Sequence, residues 1–253
     1  MSAEAAIRVT VLDAEGSTPR AAGAVMHVTA TRVLGTIGGG QLEWQAMHAA
    51  KRMLASGATQ DELELTLGPS LRQCCGGRVR LALERVAAPV AEDAPADAPD
   101  VMIFGAGHVG RAILHVLQPL PWRITLVDPR AHHLPEPTPN FQPVRTDDLV
   151  AEVANGPSQA LWIVATHSHD LDLDVVDAVL RRGDFHWLGL IGSATKRATF
   201  ERRLVARGHM PAALARLACP MGIASIRDKH PAAIAVSVAA EMLSLLSQGE
   251  GSA

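Results

Sequence analysis

The sequence predicts an α/β protein of two domains. A small α+β domain is expected over residues 1–87, and a larger domain with a mainly parallel sheet over residues 100–248. Residues 88–99 between them are almost all Ala, Pro, Asp and Glu, a composition without an apolar period that is typical of a linker. Beyond residue 100, short apolar runs alternate with helical stretches, which indicates a parallel sheet covered on both faces.

Composition excludes several classes of function. The 253 residues carry a net charge of −3 and are 48% apolar, which supplies cores but no basic excess for nucleic acid or an anionic membrane. Four Trp, four Phe and no Tyr give little material for stacking bases. No signal peptide is visible and no apolar run approaches the length of a membrane span. We therefore expect a cytoplasmic protein with neither a nucleic-acid nor a membrane partner.

The first domain is predicted to contain four strands and one helix. The strands are β-branched or alternate polar with apolar residues. The helix covers residues 41–56 and is expected to stop at Gly57. The predicted strands are residues 7–12, 24–29, 62–67 and 78–85.

The second domain is predicted from four continuous apolar strands and a final helix. That helix begins at Pro231, a residue favoured in the first turn, and runs through Ile234, Val238 and Met242. The predicted strands are residues 101–104, 123–127, 161–165 and 187–191.

A glycine motif follows the first strand of the second domain and opens a helix. Gly105 permits a tight turn, Gly107 lets a ligand phosphate approach the backbone next to His108, and Gly110 lets helix and strand pack closely. Asp128 closes the next strand about 20 residues on, where a ribose-binding acid is expected. The pattern predicts a Rossmann-like domain that holds a dinucleotide or another phosphorylated cofactor. A packing turn without a ligand is the alternative.

Two motifs of the first domain are candidate anion sites. In the GSTPR segment, the hydroxyl of Ser17 and the guanidinium of Arg20 form an anion-binding corner, or else an ordinary turn. Gly38, Gly39 and Gly40 are costly to order, so they indicate close approach of a ligand to the backbone.

The alternative for this second glycine turn is a plain helix entry. Glu43 would then lie in the first helical turn, where its charge favours the helix dipole with or without a ligand.

A cysteine doublet lies between two predicted strands of the first domain. Gln73, Cys74 and Cys75 precede two glycines, and thiols on such a turn could contact a soft metal, carry sulfur or undergo redox exchange. Three cysteines in the chain are too few for a disulfide scaffold, and the two of the doublet cannot complete a structural zinc site. Buried thiols without a function are the alternative.

A histidine-rich loop follows the third strand of the second domain. His167, His169 and Asp170 resemble a metallo-β-lactamase metal motif, but that motif needs an Asp where Leu171 stands. Because the carboxyl ends of parallel strands bind ligands, we expect these residues to line a cleft instead.

A basic helix follows the fourth strand of that sheet. Ser193 and Lys196 match S-x-x-K without the other elements of penicillin-recognising enzymes. We expect Lys196, Arg197, Arg202 and Arg203 to form a solvated helix face. No catalytic triad can be assembled.

Together these motifs resemble the XdhC/CoxI family of molybdenum-hydroxylase accessory proteins, most closely its XdhC branch. The resemblance covers nearly the full chain in order. The matching stretches are GSTPRAAGAVM (16–26), GTIGGGQLE (35–43), QCCGGRVRLALE (73–84), IFGAGHVGRAI (103–113), VDPR (127–130), ATHSHDLDLDV (165–175), GLIGSATKR (189–197), CPMGI (219–223) and HPAAIAVSVAAEML (230–243).

The resemblance implies a chaperone rather than an enzyme. Such proteins bind the molybdenum cofactor (molybdopterin) as cargo and protect it while a cysteine desulfurase partner supplies sulfur for its terminal sulfido ligand. They then deliver it to xanthine dehydrogenase, and they are often homodimers. Here Arg20 and the glycines would hold the phosphate, while Cys74 or Cys75 would lie nearest the metal.

Two other readings stay open. An NAD(P)-binding oxidoreductase would use the Rossmann-like domain for its nucleotide and His167 as acid or base. A redox or metal sensor would use Cys74 and Cys75 without binding a pterin.

Overall fold

The computed structural model of the protein describes residues 5–66, 77–88 and 98–249. The chain divides into two compact units, Met1–Ala91 and Glu92–Ala253, so the division falls within the stretch expected to be a linker. The first unit has a five-stranded antiparallel sheet and the second a six-stranded parallel sheet. The predicted fold class is confirmed.

The first unit is one sheet with a helix packed on it. Helix α1, Gly40–Ser56, buries Leu42, Ala46, Ala50 and Met53 against the strands and ends at Gly57, which adopts the left-handed conformation at φ 80°. The strands are β1 (Ala6–Glu15), β2 (Val25–Val28), β3 (Val33–Gly35), β4 (Gln60–Thr66) and β5 (Arg78–Val86), in the sheet order β3-β2-β1-β5-β4.

The second unit has strands in the order β11-β10-β9-β6-β7-β8. The strands are β6 (Asp100–Phe104), β7 (Arg123–Val127), β8 (Phe141–Val144), β9 (Leu161–Val164), β10 (Trp187–Leu190) and β11 (Leu217–Ala218). The helices are α2 (His108–Leu117), α3 (Leu149–Asn155), α4 (His169–Arg182), α5 (Ala194–Ala206), α6 (Pro211–Leu214) and α7 (Pro231–Gly249). Because the chain builds outward from β6 in one direction and from β9 in the other, the switch point lies between these two strands.

Two apolar layers cover the parallel sheet. On one face, Phe104 stacks on Trp162 with ring centroids 5.8 Å apart, and α4 packs over β9 and β10, with Val176 and Val179 in the same buried cluster. The other face carries α2 and α7. Continuous burial of strands such as β9 explains their unbroken apolar sequence.

Helix α7 corrects one expectation from the sequence. Within the described ranges, its segment Pro231–Gln248 is long and apolar enough to cross a membrane by length and composition, with a mean hydropathy of 1.3. The expectation that no apolar run approaches that length is therefore wrong for this segment. Ala235, Val238 and Met242 on α7 are fully buried in the core shared with α2, and 28% of the apolar segment is buried in all.

Candidate functional site

The loop Gly105–Gly110, here the glycine loop, connects β6 to α2 at the switch point. Gly105 has φ +109°, and a Cβ added to it would overlap the carbonyl oxygen of Ala165. A Cβ added to Gly110 would overlap the carbonyl oxygen of Gly105. Glycine is therefore required at both positions for the loop to pack against its neighbours. A Cβ on Gly107 would instead meet open space.

The start of α2 leaves backbone donors free above this loop. Gly107 is the N-cap of α2 and supplies no side-chain cap. The N–H groups of Gly107 and His108 donate to no acceptor among the described residues, and the His108 side chain is exposed. Free amides at a helix start next to open space form an arrangement that accepts a phosphate.

Asp128 is buried behind the glycine loop, with its side chain 1% exposed. One carboxylate oxygen accepts the Ala106 N–H at 2.7 Å and a guanidinium N–H of Arg130 at 2.7 Å. The other accepts the backbone N–H and Nε–H of Arg130, both at 2.8 Å. Each oxygen thus already has two donors, so a ribose hydroxyl would have to share or displace them.

The ionisation of Asp128 follows from these contacts. Burial by itself raises the pKa of a carboxyl group, but the hydrogen bonds from Arg130 and Ala106 outweigh it and lower the pKa of Asp128 to about 2. The Asp128 carboxylate is therefore charged at neutral pH and paired with Arg130.

A second cavity lies beside the glycine loop, at the carboxyl ends of β9 and β10. Its volume is about 420 Å³. We call it the Lys196 cleft, and it is lined by Thr166, His167, His169, Asp172, Ile191, Gly192, Ser193 and Lys196.

A buried ion pair forms part of the lining of the Lys196 cleft. The Lys196 ammonium lies 2.6 Å from the Asp172 carboxylate, and their side chains are 11% and 1% exposed. Arg197 is also half-buried, and donates to the Leu217 carbonyl at 2.6 Å. The expectation of a solvated face is therefore wrong for Lys196 and Arg197, because α5 turns them toward α4 and the sheet edge.

The other residues predicted near this cleft differ in whether they line it. Arg202 and Arg203 are exposed, as predicted. His167 and His169 line the cleft and are exposed. Asp170, which was expected to line a cleft with them, does not line this one, because it is exposed on α4 and pairs with Arg203 at 3.0 Å.

In the first unit, the two motifs proposed as anion sites lie against each other. A Cβ added to Gly38, at φ +118°, would overlap Pro19 and come within 3.3 Å of Cγ of Arg20. Gly77, the first described residue after the cysteine doublet, packs closely against the carbonyl oxygen of Ser17. Arg20 is exposed and has no hydrogen-bond or ion-pair partner within the described part of this unit.

The amides of the second glycine turn have partners within the chain. The Glu43 carboxylate accepts the N–H groups of Ile37 at 3.2 Å and Gly39 at 3.1 Å, and the Gly38 N–H donates to the hydroxyl of Thr36 at 3.1 Å. Gly40 begins α1. An anion bound here would therefore rely on Arg20 rather than on the amides of Gly38 and Gly39.

Of the three cysteines, Cys219 lies within the described residues. Gln73, Cys74 and Cys75 lie outside the described residues, so their role stays a prediction. Cys219 is buried, and a Cβ on Gly192 would lie 3.1 Å from its Sγ. Across residues 5–66, 77–88 and 98–249, no three His, Cys, Asp or Glu side chains group to hold a metal ion.

These features define a protein with an α+β first unit and a Rossmann-type second unit whose open crevice lies at the sheet's switch point. The family profile of the XdhC Rossmann domain matches residues 101–242, and that of the XdhC and CoxI family matches residues 1–66. The chain belongs to the XdhC family.

Two known proteins are similar to it over almost its whole length. The uncharacterized protein YqeB of Escherichia coli K12 is 29% identical over 253 residues, which is 95% of this chain and 43% of YqeB. The chain thus spans less than half of that relative. A crystal structure described as a xanthine dehydrogenase from Bacillus halodurans has a TM-score of 0.68 at 16% identity, covering 97% of this chain and 92% of that one. At that identity the likeness concerns the fold.

Proposed function

We propose that the protein is a carrier of the molybdenum cofactor. It would bind the cofactor as cargo, protect it while a cysteine desulfurase partner supplies the terminal sulfur, and deliver it to a xanthine dehydrogenase. It would act in the cytoplasm as a homodimer and catalyse no reaction on the cargo itself. Membership of the XdhC family supports this proposal.

The observation that carries the proposal is the set of free backbone amides at the glycine loop. Its amides at Gly107 and His108 have no protein acceptor among the described residues, and the space above Gly107 is open. The cargo is a phosphorylated pterin, and its phosphate is the kind of group that such a helix start binds. Carrier function also requires release, which agrees with a site that offers amides rather than a dense set of cations.

The first unit carries its own candidate contacts for the cargo. Arg20 is exposed and unpaired within the described residues, beside Ser17 and the second glycine turn. Cys74 and Cys75 would lie near molybdenum, since thiolates are soft ligands suited to such a metal. When bound, the cargo brings the metal and its dithiolene; the chain contributes hydrogen-bond donors and thiols.

Anaerobic purification tests the proposal. We expect the protein from cells that make the cofactor to contain molybdenum and to release a fluorescent pterin, and to restore activity to a cofactor-free xanthine dehydrogenase. Cys74→Ala with Cys75→Ala should lower both loading and transfer. Cys219→Ala removes a thiol elsewhere and serves as the matched control.

Two outcomes would overturn the proposal. One is protein that contains no pterin and gives none to the dehydrogenase under these conditions. The other is tight, saturable stabilisation by NAD or NADP in a thermal-shift screen without pterin binding, which would favour the oxidoreductase reading.

A further inference from the structure

Lys196 keeps one hydrogen-bond donor unused in the cleft. Its Nζ donates to Oδ2 of Asp172 at 2.6 Å and to the carbonyl oxygen of Ile191 at 2.9 Å. An ammonium group has three N–H donors. The two contacts fix the position of Nζ, which also lies 5.2 Å from the centroid of the Phe200 ring. The third N–H has no oxygen or nitrogen acceptor in the described part of the unit.

The Asp172 carboxylate is engaged mainly within the chain. Its Oδ1 accepts the backbone N–H of Thr166 at 2.9 Å and the Thr166 hydroxyl at 2.7 Å, while Oδ2 accepts Lys196. Since its side chain is 1% exposed, the carboxylate makes its hydrogen bonds with Thr166 and Lys196. It holds the cation and does not offer a negative group to the cleft.

The other lining groups are donors or groups that can donate. The Ser193 Oγ accepts the Lys196 backbone N–H at 3.2 Å, so its own O–H stays available. His167 and His169 are exposed and have no hydrogen-bond partner among the described residues. A cleft whose single carboxylate is buried and paired with Lys196, and whose remaining groups can donate, is suited to an oxyanion.

A purely structural role explains the ion pair poorly. Burying two charges costs desolvation that their attraction barely repays, so such pairs add little net stability. This pair instead lies in an open cavity at the carboxyl edge of a parallel sheet, where folds of this class bind ligands.

The Lys196 cleft and the glycine loop share a wall. A Cβ on Gly105 would overlap the carbonyl of Ala165 and lie 2.8 Å from Cα of Thr166, and Thr166 lines the Lys196 cleft. The glycine loop after β6 and the Thr166 side of the cleft after β9 therefore lie on either side of the switch point.

We propose that the Lys196 cleft is a second oxyanion subsite, in which Lys196 binds the anionic end of a ligand whose phosphate lies on the glycine loop. For the cargo proposed above, that end is the metal with its oxo groups. This assignment rests on the proposed function for the identity of the natural ligand, whereas oxyanion binding by the cleft rests on its own geometry.

Inorganic phosphate and molybdate are the probes, followed through the backbone amide resonances of the full chain. In the wild type we expect saturable shifts at Gly192–Lys196 and separately at Gly107–His108. The charge-neutral variant Asp172→Asn with Lys196→Gln should weaken binding at Gly192–Lys196 at least tenfold and leave Gly107–His108 unchanged. Arg202→Gln, which removes an exposed cation from the same helix, should change neither.

Two results would overturn the subsite. The wild type could show no saturable shifts at Gly192–Lys196, or a folded neutral variant could retain them, which would mean that the amides alone attract an adventitious ion only. The unfolding midpoint of each variant is measured alongside, so that loss of binding can be distinguished from loss of the folded structure.

Cofactor loading separates this inference from the proposed function. If the probes bind through Lys196 but no pterin is ever loaded, the oxyanion subsite stands and the carrier proposal fails. If pterin loads and is retained equally in the wild type and the neutral variant, the carrier proposal stands and the role of Lys196 fails.

Discussion

The carboxylate of Asp128 accepts the backbone N–H of Ala106 at 2.7 Å and so ties the end of β7 to the glycine loop that follows β6. Arg130 donates three further hydrogen bonds to the same carboxylate, at 2.7 to 2.8 Å. The residue whose spacing predicts a ribose contact therefore also sets the shape of the loop before any ligand binds. Such preorganisation lowers the entropic cost of binding.

Asp128→Asn should destabilise the second unit by about 2–4 kcal/mol, because it removes the charge that compensates Arg130 and weakens a buried hydrogen-bond network. Chemical denaturation with a probe in this unit measures the change. The control is Asp147→Asn, since Arg145 and Asp147 have the same spacing but are 60% and 81% exposed and 3.6 Å apart. That control should stay within about 0.5 kcal/mol of the wild type. Equal losses in the two variants would contradict the role given to Asp128.

Acid should remove the contribution of Asp128 within a defined pH window. Its pKa is about 2 in the folded chain and about 3.9 in an unfolded one. A lowered folded-state pKa adds stability that is complete above the unfolded value and is lost as pH falls toward the folded value. The difference in unfolding free energy between wild type and Asp128→Asn should thus shrink between about pH 4 and pH 2. A difference that grows on acidification would show that the carboxylate is not the stabilising form.

Two glycines of the same loop should respond differently to alanine. Gly110→Ala forces a methyl group into the Gly105 carbonyl and should cost several kcal/mol of stability. Gly107→Ala meets no atom, and its φ of −72° suits alanine, so the fold should stay within about 1 kcal/mol while ligand binding falls. Unfolding curves and pterin loading for both variants check this. Unchanged loading by Gly107→Ala would indicate that the ligand does not approach the loop there.

The sequence predicted the elements whose signal is local. The buried strands β6, β7, β9 and β10 are continuous apolar runs, and each was expected to within one residue at either end. Strands β3, β8 and β11 were not predicted, since they contain two to four residues and lie at or near sheet edges. Pairing with a neighbouring strand stabilises them more than their own composition does.

The candidate site also has one part with a local sequence signal and one part without. The glycine loop can be predicted from the sequence because its motif follows one strand and opens one helix. Lys196 and Asp172 are 24 residues apart on different helices, and neither helix by itself indicates that its residue belongs to an ion pair. Only the packing of α4 beside α5 reveals the ion pair. The short spacing between Thr166 and Asp172 was the available signal, because an acid in the first turn of a helix can reach back to the loop before it.

Removal of one partner from the Asp172–Lys196 pair should cost more than removal of both. Lys196→Gln leaves a buried carboxylate unpaired, for which about 3–5 kcal/mol is typical, and Asp172→Asn leaves a buried ammonium. The double variant should lose clearly less than the sum of the single losses, as a double-mutant cycle in denaturant would measure. Simple additivity would mean that the two groups do not interact in solution.

Cys219 should react slowly with alkylating reagents in the folded protein. Burial raises its pKa, which Lys196 and Arg197 only partly offset, and the residue is 5% exposed. Because the thiolate is the reacting form, iodoacetamide should label the Cys74→Ala, Cys75→Ala variant at least about tenfold more slowly when folded than in denaturant. Rapid labelling of the folded wild type would then report the doublet alone. Equal rates for the folded and denatured variant would contradict the buried placement of Cys219 beside Gly192.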